Sequence, residues 1–170
     1  ELEFQIESIS NFKNRSAFLA NLLGVVKLKK PSTVEQDFET ARKLFKDSYE
    51  KDPNYIDAMC NLGHVSLKLR NYEYIFKDLK RFIKNKDYNA KVYETLARIF
   101  FFVGQIDDAL DLYKKMIDRG DLSKDASANF LASSNNSSNF SQIEYLNYCK
   151  IINDKFKPNN YEKLIDFEFE

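Results

Sequence analysis

Residues 61–84 read NLGHVSLKLRNYEYIFKDLKRFIK, and residues 95–118 read TLARIFFFVGQIDDALDLYKKMID, so one pattern of apolar, small and polar positions occurs twice. The offset between the copies is 34 residues, and it aligns Gly63 with Ala97. The copies agree in side-chain size and polarity more than in identity, which is what a repeated packing unit requires. A period of this length is typical of helical-hairpin repeats.

Each copy predicts two amphipathic helices joined by a short turn. Apolar or small residues recur three and four positions apart, and this periodicity breaks near Arg70-Asn71 and again near Gly104-Gln105. We therefore expect antiparallel helix hairpins that stack on one another, because one hairpin cannot bury both of its faces. Glycine in mid-helix is unfavourable by about 1 kcal/mol relative to alanine, so we expect a second helix to cross close to Gly63.

The repeated unit resembles the tetratricopeptide repeat family. The resemblance implies an all-α fold, namely a right-handed α-solenoid of stacked antiparallel helix hairpins. The second unit departs from the family pattern at Ser66, where a large aromatic is usual, and at Ile75, where a small residue is usual. The residues that carry the resemblance are Asn61-Leu62-Gly63, Leu96-Ala97 with Phe100, Gly104, Ala109 with Tyr113, and Asp52-Pro53-Asn54.

The whole chain, 1–170, is interpreted as one such domain with three recognisable repeats and a degenerate C-terminal unit. The inter-helix loop of the first repeat is expected to be about five residues longer than the others, and Ser32-x-x-Glu35 has the form of a capping box. Ser133 to Asn139 is polar and of low complexity, which we interpret as a mobile loop in place of a hairpin turn. The predicted boundaries are 16–54, 56–89, 90–123 and 125–156, with terminal segments 1–15 and 157–170.

Both ends of the chain alternate apolar and polar residues. Residues 1–10 read ELEFQIESIS and residues 164–170 read LIDFEFE, which is strand spacing. We interpret both ends as extended tails with little structure, with pairing between them or with a second copy as the alternative. The chain starts with Glu, which we take as a sign that it is a fragment.

Composition argues against several functional classes. Lys+Arg and Asp+Glu both number 26, so the formal net charge is zero, whereas nucleic-acid binders usually carry a basic excess. The one histidine, His64, has no cysteine at metal-ligand spacing, and no nucleophile or phosphate-loop motif occurs. We therefore expect no enzymatic activity, no metal and no cofactor. Two distant cysteines and no membrane-spanning run indicate an intracellular protein, cytoplasmic or nuclear.

The first helices of the repeats are expected to line a concave groove that binds a partner. The groove has a basic middle and an apolar end, which suits a peptide with a hydrophobic anchor and nearby carboxylates. The apolar end is assigned to Phe18, Leu22 and Val25 of the first repeat, which could instead pack against residues before Ser16. A basic stripe is also typical of a solvated helix face. The predicted partner-binding residues are Asn61, His64, Lys68, Lys91, Thr95, Arg98 and Phe102.

Some members of the resembled family bind the C-terminal carboxylate of chaperones through a five-residue clamp. Asn61 and Lys91 stand at positions of that clamp, whereas Asn21, Val25 and Thr95 do not match the clamp residues at theirs. Two matches in five do not favour chaperone-tail binding. The function expected from the sequence is a non-catalytic scaffold that binds a peptide or helix of a protein partner, within a multi-subunit complex. The alternatives are an RNA-binding helical repeat and a homo-oligomerisation module.

Overall fold

The computed structural model describes residues 16–30, 32–85 and 88–157. In these ranges the chain is all-α, with eight helices and no strand. Their bounds are α1 Ala17–Leu28, α2 Glu35–Lys51, α3 Ile56–Lys68, α4 Glu73–Asn85, α5 Ala90–Phe102, α6 Ile106–Asp118, α7 Lys124–Asn136 and α8 Gln142–Phe156.

Contacts between neighbouring helices are those of a helical repeat. Each odd-numbered helix packs against the even-numbered helix that follows it, and each of α2, α4 and α6 packs against the next odd-numbered helix. The odd-numbered helices also contact each other in succession, from α1 to α3, α5 and α7. Within the described ranges, successive even-numbered helices lie farther apart and meet through long side chains, as Lys46 on α2 meets Tyr74 on α4 and Lys114 on α6 meets Glu144 on α8. The odd-numbered helices, here called the first-helix row, therefore form the tightly packed inner layer of the stack.

A single core runs along the stack from α2 to α7. Phe45, Met59, Leu79 and Tyr113 are almost fully buried in it, as the three-and-four spacing of apolar residues predicts. At the C-terminal end, Phe130 is fully buried and meets three aromatic rings edge-on, with centroid separations of 5.0 to 6.3 Å. Edge-to-face aromatic pairs stabilise a core beyond the area they bury.

The helix crossing expected at Gly63 is confirmed. A Cβ atom added to Gly63 would lie 2.6 Å from Thr95 Cγ2 on α5, closer than real side chains approach. Gly24 on α1 serves a similar purpose, since its Cβ would lie 2.5 Å from the ring of Phe45 on α2. Glycine is therefore needed where a neighbouring side chain fills the space of its missing Cβ.

Three inter-helix turns share one hydrogen-bond pattern. After α3, Asn71 N–H donates to the carbonyl of Ser66 (2.8 Å) and Arg70 N–H donates to that of Leu67 (3.1 Å). This is a Schellman motif, which requires a left-handed residue directly after the helix. Gly104 (φ 81°) and Gly120 (φ 72°) supply that residue after α5 and α6. The turn after α3 instead places an arginine there, Arg70, at φ 54°.

The predicted capping box at Ser32 is wrong. Helix α2 begins at Glu35 with Val34 as its N-cap, and the carboxylate of Asp37 accepts the Val34 N–H at 3.1 Å. Thr33 donates back to the carbonyl of Lys30 at 3.1 Å, so this part of the connection completes the end of α1. The connection is six residues long (29–34) against four (69–72) after α3, a difference of two and not five. The other extra residues lengthen α2, which has 17 residues where α4 has 13.

The predicted mobile loop at Ser133 is also wrong, because α7 continues to Asn136. Ser133 and Ser134 are buried, and their hydroxyls donate to carbonyls of the same helix at 2.7 and 2.9 Å. Short polar side chains can thus occupy a tightly packed helix face, because they satisfy their own hydrogen bonds. Beyond the helix, Ser137 and Asn139 both donate to the carboxylate of Asp107, which fixes the connection against the start of α6.

The last helix is capped at its start and held against the α6–α7 connection near its end. Ser141 and Glu144 form a capping box at its start, and Lys155 near its end donates to the carbonyls of Gly120 and Leu122. Its outer face exposes apolar side chains, with Ile143 73% exposed. The predictions for the terminal segments 1–15 and 158–170 lie outside the described residues.

The Gly63 contact predicts a double-mutant cycle. Gly63→Ala alone should lower the free energy of unfolding by about 1–3 kcal/mol, since the added methyl overpacks against Thr95 Cγ2. In a Thr95→Ser background, which removes that methyl, the same change should be neutral or stabilising because alanine favours the helix. Urea unfolding followed by circular dichroism measures all four proteins. Equal effects of Gly63→Ala in both backgrounds would contradict the proposed contact.

Candidate functional site

A pocket of about 330 Å³ opens on the first-helix row between α3, α5 and α7. Four of the seven predicted partner-binding residues line it, namely His64, Lys68, Arg98 and Phe102. Helices α3 and α5 place these side chains together because they cross closely at Gly63. We call this site the cationic pocket; its lining residues are His64, Leu67, Lys68, Arg70, Arg98, Phe101, Phe102, Tyr113 and Asn129.

The cations of the cationic pocket have no direct ion-pair partner within the described residues. Lys68, Arg70 and Arg98 contribute three positive side chains, and no carboxylate is among the lining residues. Within the described residues none of the three forms an ion pair with a carboxylate. Glu94, one turn before Arg98 on α5, instead accepts a hydrogen bond from Ser123 at 3.3 Å. Cations gathered without counter-charge attract an anionic ligand.

His64 sits at the inner wall of the pocket in its neutral form. Its Nε2 atom lies 3.1 Å from Thr95 Oγ1, whose own proton goes to the carbonyl of Lys91 at 2.8 Å. The Thr95 hydroxyl must therefore accept at Oγ1, which assigns the imidazole proton to Nε2. Burial, and next the nearby charge of Arg98, lower the pKa of His64 to about 4. The histidine contributes a hydrogen bond between α3 and α5, and no charge at neutral pH.

Arg70 forms part of the pocket rim from a strained backbone position. Its φ of 54° is unfavourable for a residue with a Cβ, and the following hairpin uses Gly104 at this point, 34 residues later. The guanidinium lies 6.0 Å from the ring centre of Phe102, which is 48% exposed. Arg70 thus combines a strained backbone with a place in the pocket lining. Strained backbone at binding sites commonly indicates a functional role.

Tyr113 at the base of the pocket has an unused hydrogen-bonding group. The side chain is fully buried, and its hydroxyl has no hydrogen-bond partner among the described residues. Burial, and next the charge of Glu94, raise the pKa of Tyr113 well above its usual value, while the charge of Arg98 lowers it, so both charged side chains lie near the hydroxyl. A buried hydroxyl without a partner is unfavourable by about 1–3 kcal/mol.

The other three predicted residues lie outside the cationic pocket. Lys91 Nζ is 2.6 Å from Asp57 Oδ1, and this contact raises the pKa of Lys91. Asn61 donates its amide to Asn21 Oδ1 at 2.9 Å, which joins α3 to α1. Thr95 is only 1% exposed, so it holds helices together and does not face solvent. These side chains are occupied in contacts along the first-helix row.

Several pocket residues were not predicted from the sequence. Arg70 had a signal in the sequence that could have identified it, because the 34-residue offset aligns this arginine with Gly104 at the turn. Tyr113 and Asn129 had none, because they come from α6 and α7 and reach the pocket only through the stacking of the helices. The buried Asn21 amide also has no sequence signal, since its partners Tyr55 and Asn61 lie on the next hairpin.

The part of the chain that the structure describes contains neither a metal-ligand cluster nor a membrane-spanning helix. No three His, Cys, Asp or Glu side chains gather there in a way that would hold a metal ion. Cys60 is buried, which raises the pKa of its thiol to about 11, while Cys149 is only partly buried. None of the helices in the described ranges is both long and apolar enough to cross a membrane.

Comparison with protein-family models finds no match to this chain, and comparison with curated proteins finds none either. The residues of the site itself are therefore the basis for assigning a function to this chain.

The pKa of His64 predicts a stability change with pH. Its folded-state pKa of about 4 lies below the unfolded value of 6.5, so the unfolded chain binds the proton more tightly. Stability due to this group is complete above pH 6.5 and is lost as pH falls toward 4. From pH 7 to 4.5, the wild type should lose about 2–3 kcal/mol more than His64→Gln. Urea unfolding at both pH values measures this difference, and parallel losses would contradict the assignment.

The strain at Arg70 predicts an asymmetry between two matched substitutions. Gly104→Arg should lower the free energy of unfolding by about 1–2 kcal/mol, since nothing lies near its Cβ and only backbone strain is added. Arg70→Gly should leave stability unchanged or higher, because relief of strain offsets the lost contact with Phe102. Thermal unfolding of both variants provides the test. Arg70→Gly being the more damaging of the two would show that Arg70 is not strained.

Proposed function

We propose that this chain is a non-catalytic scaffold of the tetratricopeptide type: a right-handed α-solenoid with three repeats and a degenerate C-terminal unit. Its first-helix row binds an acidic segment of a protein partner, inside a multi-subunit assembly in the cytoplasm or nucleus. The cationic pocket holds the acidic group of the partner, and Phe102 contacts an adjacent apolar side chain.

The observation that carries this proposal is that three cations without a direct ion-pair partner converge on one pocket. Lys68, Arg70 and Arg98 surround a cavity of about 330 Å³ and have no carboxylate partner within the described residues. Elsewhere on the same row, Lys91 is neutralised by Asp57 on the neighbouring helix. Three cations that converge on one cavity favour a ligand that brings the negative charge.

Exposed apolar side chains that could contact the apolar residues of a partner lie at two places on the first-helix row, on α5 and on α1. Phe102 is 48% exposed beside the cationic pocket, and Phe18 and Leu22 on α1 are 65% and 45% exposed. Extended peptides and amphipathic helices bind to such surfaces through a few apolar anchors, while charged neighbours set orientation. A partner segment along this row would therefore combine carboxylates near α5 with apolar side chains toward α1.

Charge reversal in the pocket tests the proposal. Arg98→Glu should abolish capture of the partner from source extract, because it places a carboxylate where the ligand's anionic group binds. Lys91→Glu should have a smaller effect, since Lys91 is outside the pocket and already paired with Asp57. Affinity purification with mass spectrometry compares these variants with wild type.

The matched control is Lys115→Glu, which makes the same charge change at an exposed position of α6 away from the pocket. Helical circular dichroism should be unchanged in all variants. A partner captured equally by wild type and Arg98→Glu would exclude the cationic pocket as the interface.

A further inference from the structure

The chain itself contains a segment with the chemistry that the cationic pocket requires. Residues 164–170 read LIDFEFE, in which Asp166, Glu168 and Glu170 alternate with Ile165, Phe167 and Phe169. Three carboxylates match the three cations of the pocket in number, and the phenylalanines match its exposed aromatic rim at Phe102. The segment contains no positively charged residue, so nothing in it repels Lys68, Arg70 or Arg98.

The end of α8 lies within reach of the pocket. Lys155 contacts the carbonyls of Gly120 and Leu122, which places the end of α8 beside the start of α7. Asn129, which lines the pocket from α7, is five residues after Lys124, a rise of about 8 Å along the helix. Ten residues separate Phe156 from Asp166, and a chain of that length can span about 33 Å. The segment is therefore long enough to reach the pocket of its own chain.

We propose that residues 164–170 dock in the cationic pocket of the same chain and compete there with the acidic segment of a partner. The carboxylates pair with Lys68, Arg70 and Arg98. This inference rests on the proposed function, because it takes the cationic pocket as the partner site and adds a competitor to it. A tethered competitor acts at an effective concentration in the millimolar range, so even weak docking lowers the affinity for a partner.

A labelled peptide tests the competition directly. The probe is a fluorescein-labelled peptide with the sequence of residues 161–170, YEKLIDFEFE, and its binding is measured by fluorescence anisotropy in about 50 mM salt, below the physiological level. The proteins are the full chain and a full-chain variant, Asp166→Asn/Glu168→Gln/Glu170→Gln, whose own segment is neutral. The probe should bind the neutral-segment variant at least about tenfold more tightly than wild type, because the tethered competitor has lost its charge.

Two further variants locate the binding. Adding Arg98→Glu to the neutral-segment variant should abolish probe binding, whereas adding Lys115→Glu should not. Raising the salt to about 500 mM should weaken binding to the neutral-segment variant, since the contact is ionic. Probe binding that survives Arg98→Glu would overturn the docking site.

The outcomes separate this inference from the proposed function. Equal, Arg98-dependent binding of the probe to wild type and to the neutral-segment variant would overturn docking in the same chain while supporting the pocket as a site for acidic peptides. A difference between the two proteins that grows with protein concentration would overturn it in favour of docking between two copies. Absence of probe binding to every variant, with partner capture still dependent on Arg98, would show that residues 164–170 are not a ligand although the pocket is an interface.

Discussion

The close approach of α5 to α3 is the constraint on which the arrangement of the site depends. Thr95 Cγ2 occupies the space that a side chain at residue 63 would need, so the two helices meet with almost no gap. At that distance the Thr95 hydroxyl can bridge His64 and the carbonyl of Lys91. Charged side chains one turn further along, Lys68 and Arg98, then come to the same cavity. The packing of α3 on α5, the hydrogen bond between Thr95 and His64, and the meeting of Lys68 with Arg98 at one cavity all depend on the absence of a Cβ atom at Gly63.

The pocket also depends on how the hairpins turn. A Schellman motif ends α3, α5 and α6, so the same backbone path is imposed three times, but its left-handed residue is glycine in two cases and Arg70 in the other. Glycine would make the turn with less strain and would leave the rim without its guanidinium. The local backbone is therefore less favourable at the turn where a charged side chain adjoins the pocket.

The helices and the Gly63 crossing could be predicted from the sequence because both depend on local periodicity and residue size. Predictions from residue type alone were less secure: Ser32 matched the capping pattern yet is not the cap, and the serines at 133 and 134 are helical although the segment is polar. The pairing of Lys91 with Asp57 depends on which turns of two helices face each other, which periodicity does not specify. The contribution of Tyr113 depends on the tertiary stack for the same reason.

The unequal packing of the two helix layers has a mechanical consequence. Hydrogen bonds and an ion pair join successive helices of the first-helix row, from Asn21 with Asn61 to Asp57 with Lys91, and the backbones of this row approach each other closely. Successive even-numbered helices lie farther apart and meet through long side chains, as Lys46 meets Tyr74 and Lys114 meets Glu144. Such a stack resists bending that spreads its inner row, because closely packed helices must separate, and yields more easily to bending that spreads its outer layer, where long side chains can follow the movement. The cationic pocket lies on the first-helix row, which is the layer that resists bending. Its shape is therefore held even where the stack flexes.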